Sequence, residues 1–239
     1  MCGIAGILRF KDGADDRPTV EAMTAMIERR GPDDGGVERE GRLTLGNRRL
    51  AILDLSDAGH QPMRSADGRF LISFNGEIYN YKDVSRELGL STADLRSSAD
   101  TEVLLHSWMR WGPSALDKLV GQFAFSVYDS RERRLWLARD RFGEKPLFYH
   151  EDPGALSFAS SIPALLEVPW VHRDLDEDAI AEYVTLRYVV SPRTVVTGVK
   201  KLPGGHLLTA DDGGIRIDRW YAPHFDPDPP KRLQKDAVE

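Results

Sequence analysis

QFAFSVYDSRERRLWLARD, residues 122–140, decides the fold class. It reads as two strands, 122–129 and 134–140, separated only by the polar tetrapeptide SRER. A connection that short can only return the chain alongside itself, so the pair is an antiparallel hairpin. Working outward, further strands are expected at 3–10 (GIAGILRF), at 43–55 (LTLGNRRLAILDL) and at 70–75 (FLISFN). Helical spacing is confined to a few segments. The first is 18–30, with proline at its first position, apolar side chains at Val20, Met23, Met26 and Ile27, and a stop at Gly31-Pro32. The second is 100–112, where Asp100 is a candidate N-cap and Gly112 a candidate C-cap; the third is 176–188. Many short strands with few helices indicate an α+β domain rather than alternating βαβ units. There is no internal repeat. The tail, 222–239, is rich in proline and charge and reads as a linker, so the folded unit is expected to span residues 1–221.

Composition narrows the function classes. Apolar residues make up 41% and charged residues 29% of the 239-residue chain, as in soluble globular proteins. A formal net charge of -6 argues against nucleic acid or an anionic membrane as a partner, since both reward basic patches. No apolar run approaches the ~20 residues of a membrane helix, and the first residues lack the basic region of a secretory signal. The single cysteine forbids an intrachain disulfide, so a cytoplasmic setting is expected.

That cysteine is Cys2, directly after Met1. Removal of Met1 would leave one residue bearing both a thiol and a free α-amine. With unperturbed values of about 7.7–8.0 for the amine and about 8.5 for the thiol, one can serve as base for the other near neutral pH. The alternative is a small, half-buried terminal residue without chemistry.

A thiol attacking an amide also needs oxyanion donors and a substrate clamp. Asn75-Gly76-Glu77 follows the strand FLISF; it is either a pair of oxyanion donors or an ordinary Asn-Gly turn. Arg49 precedes Leu50-Ala51-Ile52-Leu53, which looks like a buried strand. It is either a bidentate carboxylate clamp or, beside Arg48, a surface charge. Asp100 is a helix cap or an acceptor for an ammonium group. The six histidines have no metal-ligand spacing, and no phosphate-binding glycine loop occurs. LPGGH at 202–206 reads as a structural turn, and RDRFGEKP at 139–146 as a solvated loop or an interface.

In order along the chain stand MCGIAG, RGPDDGG (30–36), RLAILD (49–54), HQP (60–62), NGEIYN (75–80), SADTEV (98–103), GQFAFSVYD (121–129), RDRFGEKPLFY (139–149) and LPGGH. Together they resemble the glutaminase domain of asparagine synthetases, within the class II, N-terminal-nucleophile glutamine amidotransferases. The resemblance implies a four-layer αββα sandwich of two antiparallel sheets. It implies Cys2 as nucleophile with its own α-amine as base, and Asn75 and Gly76 as the oxyanion hole. Arg49 would hold the glutamine α-carboxylate, the backbone of Leu50, Ala51, Ile52 and Leu53 would line the pocket, and Glu77 and Asp100 would hold the α-amino group. No cofactor or metal is expected in this domain. ATP and Mg would belong to a synthetase domain beyond residue 239, the expected partner that receives ammonia, and the family leaves room for a homodimer. Arg29 stands where the family usually has histidine. Two other functions fit less well: hydrolysis of a different amide by the same fold, and a non-catalytic module that binds glutamine or docks on a synthetase.

Overall fold

The structure, a computed structural model, describes residues 1–11, 13 and 15–224. Twelve strands form two six-stranded sheets in which every pairing is antiparallel. The first sheet contains β1 (Gly3–Arg9), β2 (Asp34–Glu40), β3 (Leu43–Arg49), β8 (Phe148–Asp152), β9 (Ala155–Ala159) and β10 (Val199–Lys201). The second contains β4 (Met63–Arg64), β5 (Phe70–Ile78), β6 (Gly121–Asp129), β7 (Arg134–Arg139), β11 (His206–Asp211) and β12 (Gly214–Arg219). Their orders are β10-β8-β9-β1-β3-β2 and β12-β11-β7-β6-β5-β4. The 122–140 hairpin is the β6–β7 pair at the centre of the second sheet.

Side-chain alternation along each strand builds three apolar layers. Ile4, Leu8, Leu43 and Leu45 of the first sheet meet Leu71, Tyr128, Leu135 and Leu137 of the second in the middle layer. On the far side of the first sheet, Ala5 and Ile7 pack with Val20, Met23 and Ile27 of the α1 region (α1, Arg17–Ala25) and with Ala164 and Leu165 of α5 (Ile162–Leu165). On the far side of the second, Ile72, Phe74 and Phe125 pack against Val103, Leu104 and Trp108 of α3 (Asp100–Trp111), beside Val84 of α2 (Tyr81–Glu87) and Leu116 of α4 (Ala115–Lys118). Helix, sheet, sheet and helix are therefore stacked in the expected αββα order.

Several local expectations need correction. The first helix ends at Ala25 and gives way to a 3-10 turn at Glu28–Arg30 instead of running to residue 30. Asp100 is the first helical residue and Ala99 occupies the N-cap, because the Asp100 carboxylate reaches back to the Ile78 N–H. Gly112 does end that helix, with φ of 57°. The third helix is α6 (Glu177–Leu186), capped by Asp176, whose carboxylate accepts the Ala179 N–H at 2.9 Å. Leu50–Leu53 is not a buried strand: β3 stops at Arg49, and Ile52 and Leu53 are exposed. Asn75-Gly76-Glu77 is not a turn after a strand but part of the second half of β5, where Ala124, Phe123 and Gln122 of β6 pair with it. The segment 139–146 is not a freely solvated loop. Asp140, 1% exposed, gathers the N–H groups of Phe123, Phe142, Glu144 and Lys145 at 2.9–3.1 Å. The linker assigned to 222–239 lies almost wholly outside the described residues. Among those described, no helix is long and apolar enough to cross a membrane.

Candidate active site

The same alternation that fills the middle layer with apolar side chains places the candidate residues at one end of it. Cys2 continues the Ile4–Leu8 face of β1, and Arg49 shares the face of Leu43 and Leu45 on β3. Asn75 shares the face of Leu71 and Ser73 on β5. Gly3 pairs with Arg48, so Cys2 and Arg49 stand where the first sheet ends. A cavity of about 230 Å³ occupies that end, lined by Cys2, Arg49, Leu50, Ile52, Leu53, Asn75, Gly76, Glu77 and Asp100 among others. Of the residues singled out from the sequence, only Ala51 is not in its wall; its N–H donates to Asp33 at 2.9 Å.

Cys2 is fixed by a backbone group on its thiol and by a side chain on its carbonyl. The Leu50 N–H donates to Sγ at 3.4 Å, and Arg30 Nε donates to the Cys2 carbonyl at 3.1 Å. Burial pushes the thiol above its ordinary value, and the Leu50 N–H pulls the other way. A thiol so placed needs a base to become a nucleophile. Met1 is exposed and also lines the cavity, so its removal would deliver the Cys2 amine to the same space.

Opposite the thiol, Asn75 is fully buried and neither its Nδ2 nor its Oδ1 has a hydrogen-bond partner among the described residues. Buried amides are almost always satisfied, so an orphan amide in a cavity wall is a candidate donor to a ligand. Gly76 follows. A Cβ there would lie 2.3 Å from the Gln122 carbonyl, which excludes every other residue while β5 and β6 stay paired.

Charge is arranged around the same space. The Arg49 guanidinium donates to the Asp54 carbonyl and, at 3.1 Å, to that of Ser56, and it lies so close to Gly59 that a Cβ there would sit 2.1 Å from Nη2. Two of its five donors are thus used for aim, and the others remain for a ligand. Glu77 and Asp100 supply two carboxylates. Burial raises the Asp100 carboxyl to about 6, against the lowering effect of the Ile78 and Thr101 N–H groups. Arg49 and Lys145 with Asp54, Glu77 and Asp100 give the cavity walls charges of both signs, a match for a zwitterion.

Sequence reasoning missed four charged or amide residues of the wall. Asp54 accepts from Ser56 N at 2.8 Å and Ser56 Oγ at 2.6 Å, and from Ser98 N at 2.7 Å, bracing the 50–56 segment against the approach to α3. Those hydrogen bonds, that of Ser56 Oγ first, hold its carboxyl well below the usual range. Gln61, Gln122 and Lys145 also line the wall, beside Phe74, Ala99 and Thr101. All four, and Arg30, lie inside sequence blocks already noted (RLAILD, HQP, GQFAFSVYD, RDRFGEKPLFY, RGPDDGG), but their residue types alone gave them no role.

A family model described as a glutamine amidotransferase domain matches residues 1–221. The chain belongs to that family. Among curated proteins, the amidotransferase domain is 36% identical over 225 residues to an asparagine synthetase (glutamine-hydrolyzing) of Bacillus subtilis, covering 92% of this chain and 36% of that protein. It is 31% identical over 218 residues to asparagine synthetase B of Escherichia coli, covering 90% of this chain and 34% of the relative. The chain therefore spans about a third of the length of these relatives. Among solved structures, it resembles a glutamine phosphoribosylpyrophosphate amidotransferase of B. subtilis with a TM-score of 0.66 at 19% identity, over 92% of this chain and 49% of the other. An allosteric regulatory enzyme of purine biosynthesis gives 0.67 at 20% identity, with the same coverage. Both likenesses concern the fold, and both agree with the two-sheet α+β architecture.

Proposed function

We propose that the amidotransferase domain hydrolyses L-glutamine to L-glutamate and ammonia through Cys2. The observation that carries this reading is the fully buried Asn75 amide, without a partner among the described residues, in the wall of a cavity it shares with the Cys2 thiol and with charges of both signs. Arg49 binds the substrate α-carboxylate, and Glu77 and Asp100 hold its ammonium. The side-chain amide then extends toward Cys2. The α-amine freed by loss of Met1 takes the thiol proton, and Sγ bonds to the amide carbon. The carbonyl electron pair moves onto oxygen, where Asn75 Nδ2 and the Gly76 N–H donate to it. Collapse breaks the C–N bond, and the α-ammonium returns its proton to the leaving nitrogen, which departs as ammonia. Water, deprotonated by the same amine, cleaves the thioester to glutamate and restores the thiol.

By likeness to the relatives named asparagine synthetases, the ammonia is delivered to an ATP- and Mg-using synthetase partner, where it attacks an activated carboxylate. Aspartate is the default acceptor, with other acids open, and the setting is cytoplasmic. No cofactor is assigned to the domain itself. Cys2→Ala tests the core of this proposal. Ammonia release from glutamine is expected to fall to background, and substantial remaining turnover would refute it.

A further inference from the structure

Strand β5 has a bare edge at the site. β4 pairs only with Leu71 and Ile72, so beyond Ile72 nothing in the sheet covers that side of β5. Alternate residues of a strand present their N–H groups to the same edge, which sets Phe74, Gly76 and Ile78 along this one. A buried N–H left unpaired is costly, and two of the three are paired by side chains. Gln61 Oε1 accepts the Phe74 N–H at 2.7 Å, and Asp100 Oδ2 accepts that of Ile78 at 2.8 Å. The N–H of Gly76 is left between them, beside the cavity.

Gln61 does more than fill the vacant strand position. Its Oε1 also accepts from Asn47 Nδ2 at 3.2 Å, and its Nε2 donates to Thr101 Oγ1 at 3.3 Å. One side chain, 3% exposed, therefore touches β5 one residue before Asn75, β3 two residues before Arg49, and α3 one residue after Asp100. The shortest of these bonds is to β5. We infer that Gln61 is the positioning residue of the oxyanion hole: its side-chain carbonyl caps the open edge of β5 and so aims the Gly76 N–H and the Asn75 amide. This rests on the glutaminase reading above. Gln61 acts through the strand, so its loss weakens binding of the transition state more than binding of substrate or product.

The test uses the full chain with Met1 removed, and measures kcat and KM for glutamine together with the inhibition constant of glutamate. Gln61→Leu removes the acceptor; kcat is expected to fall roughly ten- to a hundredfold, the range that misplacing catalytic groups by up to 1 Å produces. KM and the glutamate constant are expected to stay within about twofold, because the Arg49, Glu77 and Asp100 contacts remain. Gln61→Glu keeps an acceptor for Phe74 and can accept from Thr101, and is expected to restore most of kcat. Thr101→Val, which frees only the far end of the Gln61 amide, gives the same pattern with a smaller loss and serves if Gln61→Leu does not fold. An unchanged kcat in these variants overturns the proposal, and so does a parallel loss of kcat and glutamate binding with no rescue by Gln61→Glu. Failure of the unsubstituted protein to release ammonia would instead overturn the glutaminase reading, and this inference with it.

Discussion

The two halves of β5 are one continuous strand, and the rest of the chain treats them oppositely. From Phe70 to Ile72 the strand lies between β4 and β6, and its backbone is consumed by the sheet. From Phe74 to Ile78 it keeps β6 on one side only, and side chains from two other elements take over the second edge. The first half contributes packing: Ile72 is fully buried against the helical layer. The second contributes an amide without a partner and a glycine N–H beside a cavity. The difference teaches that the proposed active site is an interrupted sheet edge. The backbone donors that chemistry needs exist because β4 is only two residues long.

Substitutions in the two halves should separate activity from stability. Asn75→Ala, in the open half, is expected to lower kcat for glutamine by roughly 10²–10³. KM should change little and the melting temperature should hold, because the amide it deletes has no partner in the folded protein. A melting loss as large as the kinetic one would erase the distinction between the halves. Ile72→Ala, in the closed half, is expected to cost about 2–5 kcal/mol of folding stability, measured by denaturant unfolding, while the fraction still folded keeps its KM. A selective KM increase in that variant would show that the closed half also shapes the pocket.

The smallest effect concerns the edge cap at Asp100. Burial raises its carboxyl to about 6, above the ordinary value of 3.8. Because the folded protein binds this proton more tightly than the unfolded chain, the group favours folding most below pH 4, and that contribution is lost as pH rises through 6. It amounts to about 3 kcal/mol by the usual linkage. Ammonium binding needs the carboxylate and runs the other way. Glutamine affinity of the inactive Cys2→Ala variant should therefore weaken as pH falls below about 6, while stability gains from this group. Calorimetric titration at several pH values reads the first and thermal melting the second. Both trends should flatten in Asp100→Asn; if they persist there, another group is responsible.

What the sequence revealed and what it hid follow the same division. The β6–β7 hairpin and helix α3 could be read because their signals are local: a four-residue polar connection, and helical spacing closed by Gly112. Cys2 could be read because its position in the chain is itself the signal. Asn75-Gly76 was hidden inside a dipeptide typical of turns, since only pairing with Ala124 and Phe123, far along the chain on β6, keeps it extended. Leu50–Leu53 looked like a strand by composition, but Arg49 draws the Asp54 and Ser56 carbonyls toward itself and the segment leaves the sheet. Gln61 and Asp54 could not be read at all. Capping a strand edge or bracing a loop is a property of topology, and neither residue type announces it.

The central claim is that Cys2 is a nucleophile in a glutamine-shaped site. The most direct test is the intact mass of the protein before and after exposure to an electrophilic glutamine analogue. The account predicts a chain lacking Met1 that gains one adduct, mapped to Cys2 and prevented by excess glutamine. A chain lacking Met1 that gains no adduct, or one whose modification glutamine does not block, would contradict it.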